Sequence, residues 1–351
     1  MSDTLILVVD GTPHYGWTRL TVGRSIERGP HEFEVSMTNR WGAAESTSPR
    51  TVLAGMPVQV LVNEDLVMTG YIDDVDPEYD DKNHSITVRG RSKLGDLVDC
   101  STEGKQFKGM SLLAIAKTLC EPFGIAVNAD SSVQDVATQQ FTQTKTLDVG
   151  QPIWEFLEEL ARTRAVLLTS DANGNLLITR AGTGRADVAL VLGQNIKSAS
   201  GSFSHRELFS DYTVTAQQPD AVQLEGVDVS QPIGRATGSG RHRPFVVSAD
   251  ESADVAGCKT RAEWQRNVHY GRSQGVVYTV SGWRQTPEGR LWAPNEIVTV
   301  DDAWSGIDSD LLIAETRLTL GGQGSTTEIR VMPKEAFDLV PVPEATQGYA
   351  T

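Results

Sequence analysis

The last third of the chain sets two carboxylates among three indole rings. Asp301 and Asp302 end the stretch "NEIVTVDD", Trp292 and Trp304 flank it, and Trp283 precedes it. Acids beside aromatic rings have the composition of a sugar-cleaving site. Such a site needs two carboxylates roughly 5–10 Å apart that face one glycosidic bond. Adjacent residues of a strand point to opposite faces, so Asp301 and Asp302 cannot serve one substrate. The stretch "GWRQTPEGRLW" reads as a hairpin around Pro287, Glu288 and Gly289. Trp283 and Trp292 then form a cross-strand pair or cover the turn.

Other groups with chemical potential are equally weak. "DDVDPEYDD" holds six acids from Asp73 to Asp81. A calcium loop counted from Asp74 needs Gly and Glu where Tyr79 and Ser85 stand, so the cluster reads as a solvated tip between two strands. Six histidines stand apart from any second His or Cys at ligand spacing, and Cys100, Cys120 and Cys258 form no CxxC. The one GxSxG match, "GRSQG" from Gly271 to Gly275, follows a helical stretch and precedes a strand, the reverse of a nucleophile elbow, and "GTGRAD" and "GGQGST" lack the residues of a phosphate loop. The sequence therefore predicts no catalytic residue, no metal site and no cofactor.

A net charge of −15 argues against broad nucleic-acid binding, which needs Lys and Arg to replace counterions. Only residues 241–290 are net positive, with 8 basic and 5 acidic side chains. Arg241 and Arg243 in "GRHRPF", with Lys259 and Arg266, are candidate interface residues toward an acidic neighbouring subunit or partner. Trp283 and Trp292 join them as candidates. No apolar run approaches the roughly 18 residues of a membrane span. With no signal peptide or disulfide framework to read, the expected compartment is a reducing cytoplasm.

The elements that must position these residues are mostly strands. "LILVVDG", "HEFEVSM", "PVQVLVN" and "HSITVRG" carry apolar residues at period two or as a short run. Helical spacing then replaces alternation. "SLLAIAKTLCEPFGI" has Ser111 as N-cap and Pro122 as stop, and "QPIWEFLEELARTR" has a face of Ile153, Phe156, Leu157 and Leu160. "AVLLTSDANGNLLITR" is a hairpin around Asn173-Gly174. The fold expected is mainly β with an α+β insertion: two related β-barrel-like domains, a small inserted α/β domain and a long helix. Residues 1–100 and 182–205 would form the first β domain, 101–181 the insertion, 206–340 the second β domain with a helix over 252–272, and 341–351 an extended tail.

The two β domains echo each other. "MPVQVLVNED" lies over "PNEIVTVDDA" with Val60 on Val298, Val62 on Val300, Asn63 on Asp301 and Glu64 on Asp302. Ile72 and Asp74 match Ile313 and Glu315 in the next strand, and Ile86 and Val88 match Ile329 and Val331 in the third. The pattern suggests a duplicated β unit.

With these pieces in order, the chain resembles the baseplate hub proteins of contractile-tailed phages, the Mu-like tail protein P group of the late-control-D superfamily. The match rests on residues 280–302, 311–337, 70–99 and 151–180. The resemblance implies a homotrimer whose six β units form a pseudo-sixfold ring in the virion baseplate, assembled in the host cytoplasm. Its implied partners are the central spike protein, the tail tube or tube-initiator protein and other baseplate proteins. DNA would only pass through the channel, whose acidic wall repels phosphate, and no stable membrane association is expected. The alternative reading is a cell-wall-active or glycan-binding tail protein.

Overall fold

A computed structural model describes residues 3–39, 52–81, 84–216, 232–238, 240–248, 255–322 and 324–337. The expected tail 341–351 and the start of the helix expected at 252 lie outside them.

The first β unit contains β1 (Leu5–Val9), β2 (Thr12–His14), β3 (Arg19–Ser25), β4 (Glu32–Asn39), β5 (Pro57–Val62), β6 (Asp65–Tyr79) and β7 (His84–Ser92). Asp10 and Gly11 both take positive φ, as a two-residue hairpin turn between twisted strands requires. Leu7, Val22, Val35, Val60 and Val88 alternate inward and are fully buried.

The inserted unit holds α1 (Leu94–Asp99), β8 (Lys105–Phe107), α2 (Leu112–Cys120), β9 (Val127–Ala129), α3 (Gln134–Thr138), β10 (Lys145–Leu147), α4 (Ile153–Arg164), β11 (Leu167–Ser170) and β12 (Leu176–Thr179). Ser111 caps α2 by accepting from the Ala114 N–H, and the expected face of α4 is buried. Pro152 stands at the N-cap of α4, and Gly174 makes the turn between β11 and β12. The core of this unit begins at Leu94, earlier than 101, because Leu94 and Leu97 of α1 pack into it.

The rest comprises β13 (Gly184–Arg185), β14 (Leu190–Val191), β15 (Ile196–Phe203), β16 (Asp211–Thr215), β17 (Ile233–Thr237), β18 (Pro244–Ser248), α5 (Val255–Arg272), β19 (Gln274–Ser281), β20 (Glu296–Asp302), β21 (Ile307–Gly321) and β22 (Gly324–Met332). β17, β16 and β18 form a separate three-stranded sheet on which α5 lies. Its core is Tyr212, Val214, Ala216, Ala236, Cys258 and Ala262.

Two features differ from the sequence reading. Residues 184–203 pair within the second β unit, not the first: β13 and β14 run parallel to β20, and β15 pairs with β19. The two units are also not separate closed barrels. The main sheet runs β15-β19-β22-β21-β3-β4-β7-β6-β5-β1-β2, with β20, β13 and β14 branching from β21. Among the described residues it is open, and the β21–β3 ladder joins the two units.

The echo is real in outline but two residues out of step in two of its three strands. Ile72 opposes Gly90 and Ile313 opposes Val331, so β6/β7 match β21/β22 at an offset of 241 (313 less 72, 331 less 90). Val88 therefore corresponds to Ile329, not Val331. Likewise Val58 opposes Gly70 and Val298 opposes Leu311, which puts Val58, not Val60, on Val298. A two-residue shift keeps every side chain on its face, so alternation cannot detect it. A bulge fixes the true register. Both copies break their pairing at one place, between Ile72 and Asp74 and between Ile313 and Glu315.

The close strand packing makes a test. A Cβ on Gly70 would stand 1.9 Å from the Arg91 carbonyl oxygen, whereas one on Gly275 meets nothing within 4 Å. Gly70→Ala is expected to cost about 1–3 kcal/mol and Gly275→Ala less than about 0.5 kcal/mol, both read as urea midpoints.

Candidate assembly surfaces and the polar seam between the β units

The hairpin carrying the tryptophans turns as expected. Gln285 N–H donates to the Arg290 carbonyl at 2.9 Å, and Trp292 N–H to the Trp283 carbonyl at 3.1 Å. The two rings diverge. Trp283 enters the core of the first β unit and donates through Nε1 to the Thr319 carbonyl at 3.0 Å. Trp292 packs in the core of the second. Both are essentially inaccessible, so neither ring is available to a partner as an interface residue. Burying one indole of about 200 Å² contributes roughly 5 kcal/mol of transfer free energy. The hairpin thus rivets the two units from inside. Of the three, Trp304 is exposed, at 90%.

Asp301 and Asp302 do face opposite ways. Asp301 is exposed and Asp302 is 1% exposed. Burial pushes the Asp302 carboxyl up, but the donors around it prevail and hold it below the usual range. Those donors are the Ser305 hydroxyl and N–H, the latter at 3.3 Å, the Tyr278 hydroxyl at 3.0 Å and the Trp304 N–H at 3.1 Å. The pair is a strand end with one structural acceptor, not a two-carboxylate centre.

The acidic cluster is not a loop tip. β6 runs straight through it to Tyr79, so Asp73 to Glu78 are strand residues. Arg89 bridges Glu34 at 2.7 Å and Asp76, and Arg91 bridges Asp73 and Asp99 at 2.7 and 2.6 Å. These pairs lie on the outer face, where each is worth about 0–1 kcal/mol.

The basic candidates all fall on the small layer of β16–β18 and α5, two in the loop before β18 and two on α5. Arg241 is exposed in the loop before β18, and Lys259 is exposed on α5. Arg243 is turned inward: it donates to the Arg206 carbonyl and stacks 5.4 Å from the Phe209 ring centre. Arg266 donates to Asn267 and, at 3.5 Å, to the Thr237 carbonyl. Arg243 and Arg266 therefore hold this layer together, and of the four only Arg241 and Lys259 are exposed, beside Arg235 on β17 and Arg272 on α5.

A feature the sequence did not reveal lies where the two β units meet the insertion. A cleft of about 300 Å³ is lined by Arg24, His31, Thr169, Asn295 and Glu296, among others. Arg24, on β3, donates to the Trp292 carbonyl, and its guanidinium is lowered to about 10 by burial against the pull of Glu296. Glu296 accepts from Gln285 at 2.9 Å and pairs with Arg290. Burial raises the Glu296 carboxyl, and Arg290 opposes that rise. Asn295, at φ 69°, donates to the Arg180 carbonyl at 2.9 Å and accepts from Gly182 N–H at 2.7 Å. His31 is buried beside Arg24; burial first and the Arg24 charge second lower it to about 3. Nothing in the sequence marked it: Arg24 and His31 stand in "GRSIERGPHEFE" among other charged residues, and their spacing names no partner.

Comparisons with known proteins agree with this architecture. Residues 4–92 match the family described as Mu phage baseplate assembly protein GpP-like, N-terminal. Residues 94–180 match baseplate hub protein gp44-like, second domain, and residues 254–340 match Mu phage baseplate assembly protein GpP, fourth domain. The chain is 32% identical to the baseplate hub protein gp44 of Escherichia phage Mu, over 97% of this chain and 90% of that protein. It is similar to the 43 kDa tail protein of prophage MuSo2 from Shewanella oneidensis, with 33% identity, TM-score 0.83 and coverage of 96% and 100%. A tail protein from Neisseria meningitidis MC58 shares the fold, at 22% identity, TM-score 0.79 and coverage of 96% and 99%.

Two stability tests follow from the buried acceptor and the buried imidazole. Asp302→Ala leaves the Tyr278 hydroxyl and two N–H groups without their acceptor and is expected to cost about 1–3 kcal/mol in urea unfolding. Asp301→Asn should stay within about 0.5 kcal/mol. His31 is neutral when folded down to about pH 3, while the unfolded chain takes its proton near 6.5. The folded pKa is depressed, so this stability is complete above pH 6.5 and is lost as the pH falls toward 3. His31→Gln should flatten that decline in urea titrations at pH 7, 5.5 and 4.5.

Proposed function

Because the chain belongs to the Mu-like phage baseplate hub family, we propose that it is a structural ring component of a phage tail. In this reading it forms a homotrimer whose six β units make a pseudo-sixfold ring. That ring joins a sixfold tail tube or tube-initiator protein to a threefold central spike, contacts other baseplate proteins and lets DNA pass on ejection. The observation that carries the reading is the duplication: two meanders share strand order, register and bulge, and are already joined edge to edge within one chain. Three such pairs would give six near-equivalent modules. The net charge of −15 suits a channel through which phosphate must slide, since an acidic wall neither condenses on nor releases ions from DNA.

A solution mass by light scattering tests it. A threefold mass and a ring with a central hole in negative-stain images are expected, alone or with spike protein. A strict monomer at tens of micromolar, with no ring in the presence of spike or tube protein, would count decisively against it.

A further inference from the structure

The junction inside the chain specifies a second junction between chains. Internally, the outer half of β21, Glu315 to Leu320, pairs antiparallel with β3, with Leu318 opposite Val22. The offset of 241 carries Leu318 to Pro77, in the outer half of β6. The counterpart of β3 in the second unit is β15. Val22 opposes Phe33, which opposes Gly90; Gly201 opposes Val276, which opposes Val331. Gly90 and Val331 are equivalent, so Val22 corresponds to Gly201. Among the described residues, β15 pairs on one side only, and β5 pairs with β6 no further than Tyr71. The second unit thus has an open β15 edge, and the first has an open edge over Asp74 to Tyr79.

We propose that β15 of one copy pairs antiparallel with residues 74–79 of β6 in the next copy, with Gly201 opposite Pro77. This rests on the ring reading above and adds its interface. The side chains fit. In this register Val75, Pro77 and Tyr79 meet Phe203, Gly201 and Ala199 on one face, and Asp74, Asp76 and Glu78 meet Ser204, Ser202 and Ser200 on the other. The apolar face continues both cores: Gly201 opposes the fully buried Val276, and Val75 opposes the fully buried Val88. It also accounts for two exposed rings on otherwise ordinary strands, Tyr79 at 79% and Phe203 at 56%. On the polar face, serine hydroxyls can donate to the carboxylates. The small residues of "SASGS" let a neighbouring backbone approach closely. Pro77 can accept but not donate, which removes at most one ladder bond and discourages unrelated strands from adding to this edge. The contact is heterologous, the kind that closes into a ring.

Cross-linking tests it directly. Opposed residues of an antiparallel pair have Cα atoms about 4.5–5.5 Å apart, inside disulfide range. Glu78→Cys with Ser200→Cys, in a Cys100→Ser background, should give covalent dimers and trimers on a non-reducing gel under mild oxidation. Mixing the two single-cysteine chains should give dimer alone. Glu103→Cys with Ser200→Cys is the control and should not link. Light scattering on the reduced variants reads the oligomer separately. An oligomer without the 78–200 link, or with equal linking in the control, overturns the pairing and leaves the ring reading standing. A monomer at tens of micromolar overturns both.

Discussion

The ladder between β3 and β21 is the constraint on which the rest depends. It ties residues 20–25 to residues 315–320, almost the full length of the chain apart. Backbone hydrogen bonds contribute modestly each, about 1 kcal/mol net. What makes the ladder decisive is what it drags with it. Leu318 and Trp283, from the C-terminal unit, complete the core of the N-terminal one. A chain that failed to close this contact would expose both cores and leave two more strand edges open to chance partners. So distant a pairing must wait on loop closure, and the insertion and the small α/β layer are free to form from local contacts first.

The polar seam follows from that closure. Once β3 lies against β21, Arg24 is carried out of water beside Trp292, Glu296 and His31. Isolated burial of a guanidinium would be costly, and the carbonyl and carboxylate around it offset that cost without making the seam a large source of stability. Its more important effect is on alignment. Arg24 donates to the backbone of the hairpin whose Trp283 and Trp292 rings sit in the two cores, so the seam ties the sheet junction to both.

Much of this was legible in the chain. Four of the seven strands of the first unit, the two amphipathic helices, the Asn173-Gly174 hairpin and the duplicated pattern all follow from period and turn chemistry. The misses have physical causes. β3, "RLTVGRS", buries Leu20 and Val22 but then meets Gly23 and Arg24, whose partners lie far along the chain. The outer half of β6 reads as a loop because acids and a proline are poor strand formers, yet an open edge tolerates both. Residues 184–203 follow the insertion directly, but their pairing lies with β20 and β19, and short strands carry no mark of their neighbour. The paired tryptophans look like one cluster in sequence and serve two cores in space.

The register itself shows where alternation stops informing. Period two fixes which face a residue occupies and is blind to slips of two, and that is the error the echo contained. The fold breaks the degeneracy by other means. Asp73 and Ala314 are the extra residues of matching bulges, and a bulge can be satisfied at one position only. Cross-strand ion pairs add to it. Arg89 opposes Glu34 on β4 and reaches Asp76 on β6, and a slip that sets it opposite Ser36 loses the first carboxylate. Arg317 reaches Glu32 at 3.7 Å, across the junction strand β3. Exposed pairs of this kind add little to stability, but the competing registers bury the same apolar residues. Between states that differ in so little else, a fraction of a kcal/mol from each of several ion pairs is enough to choose.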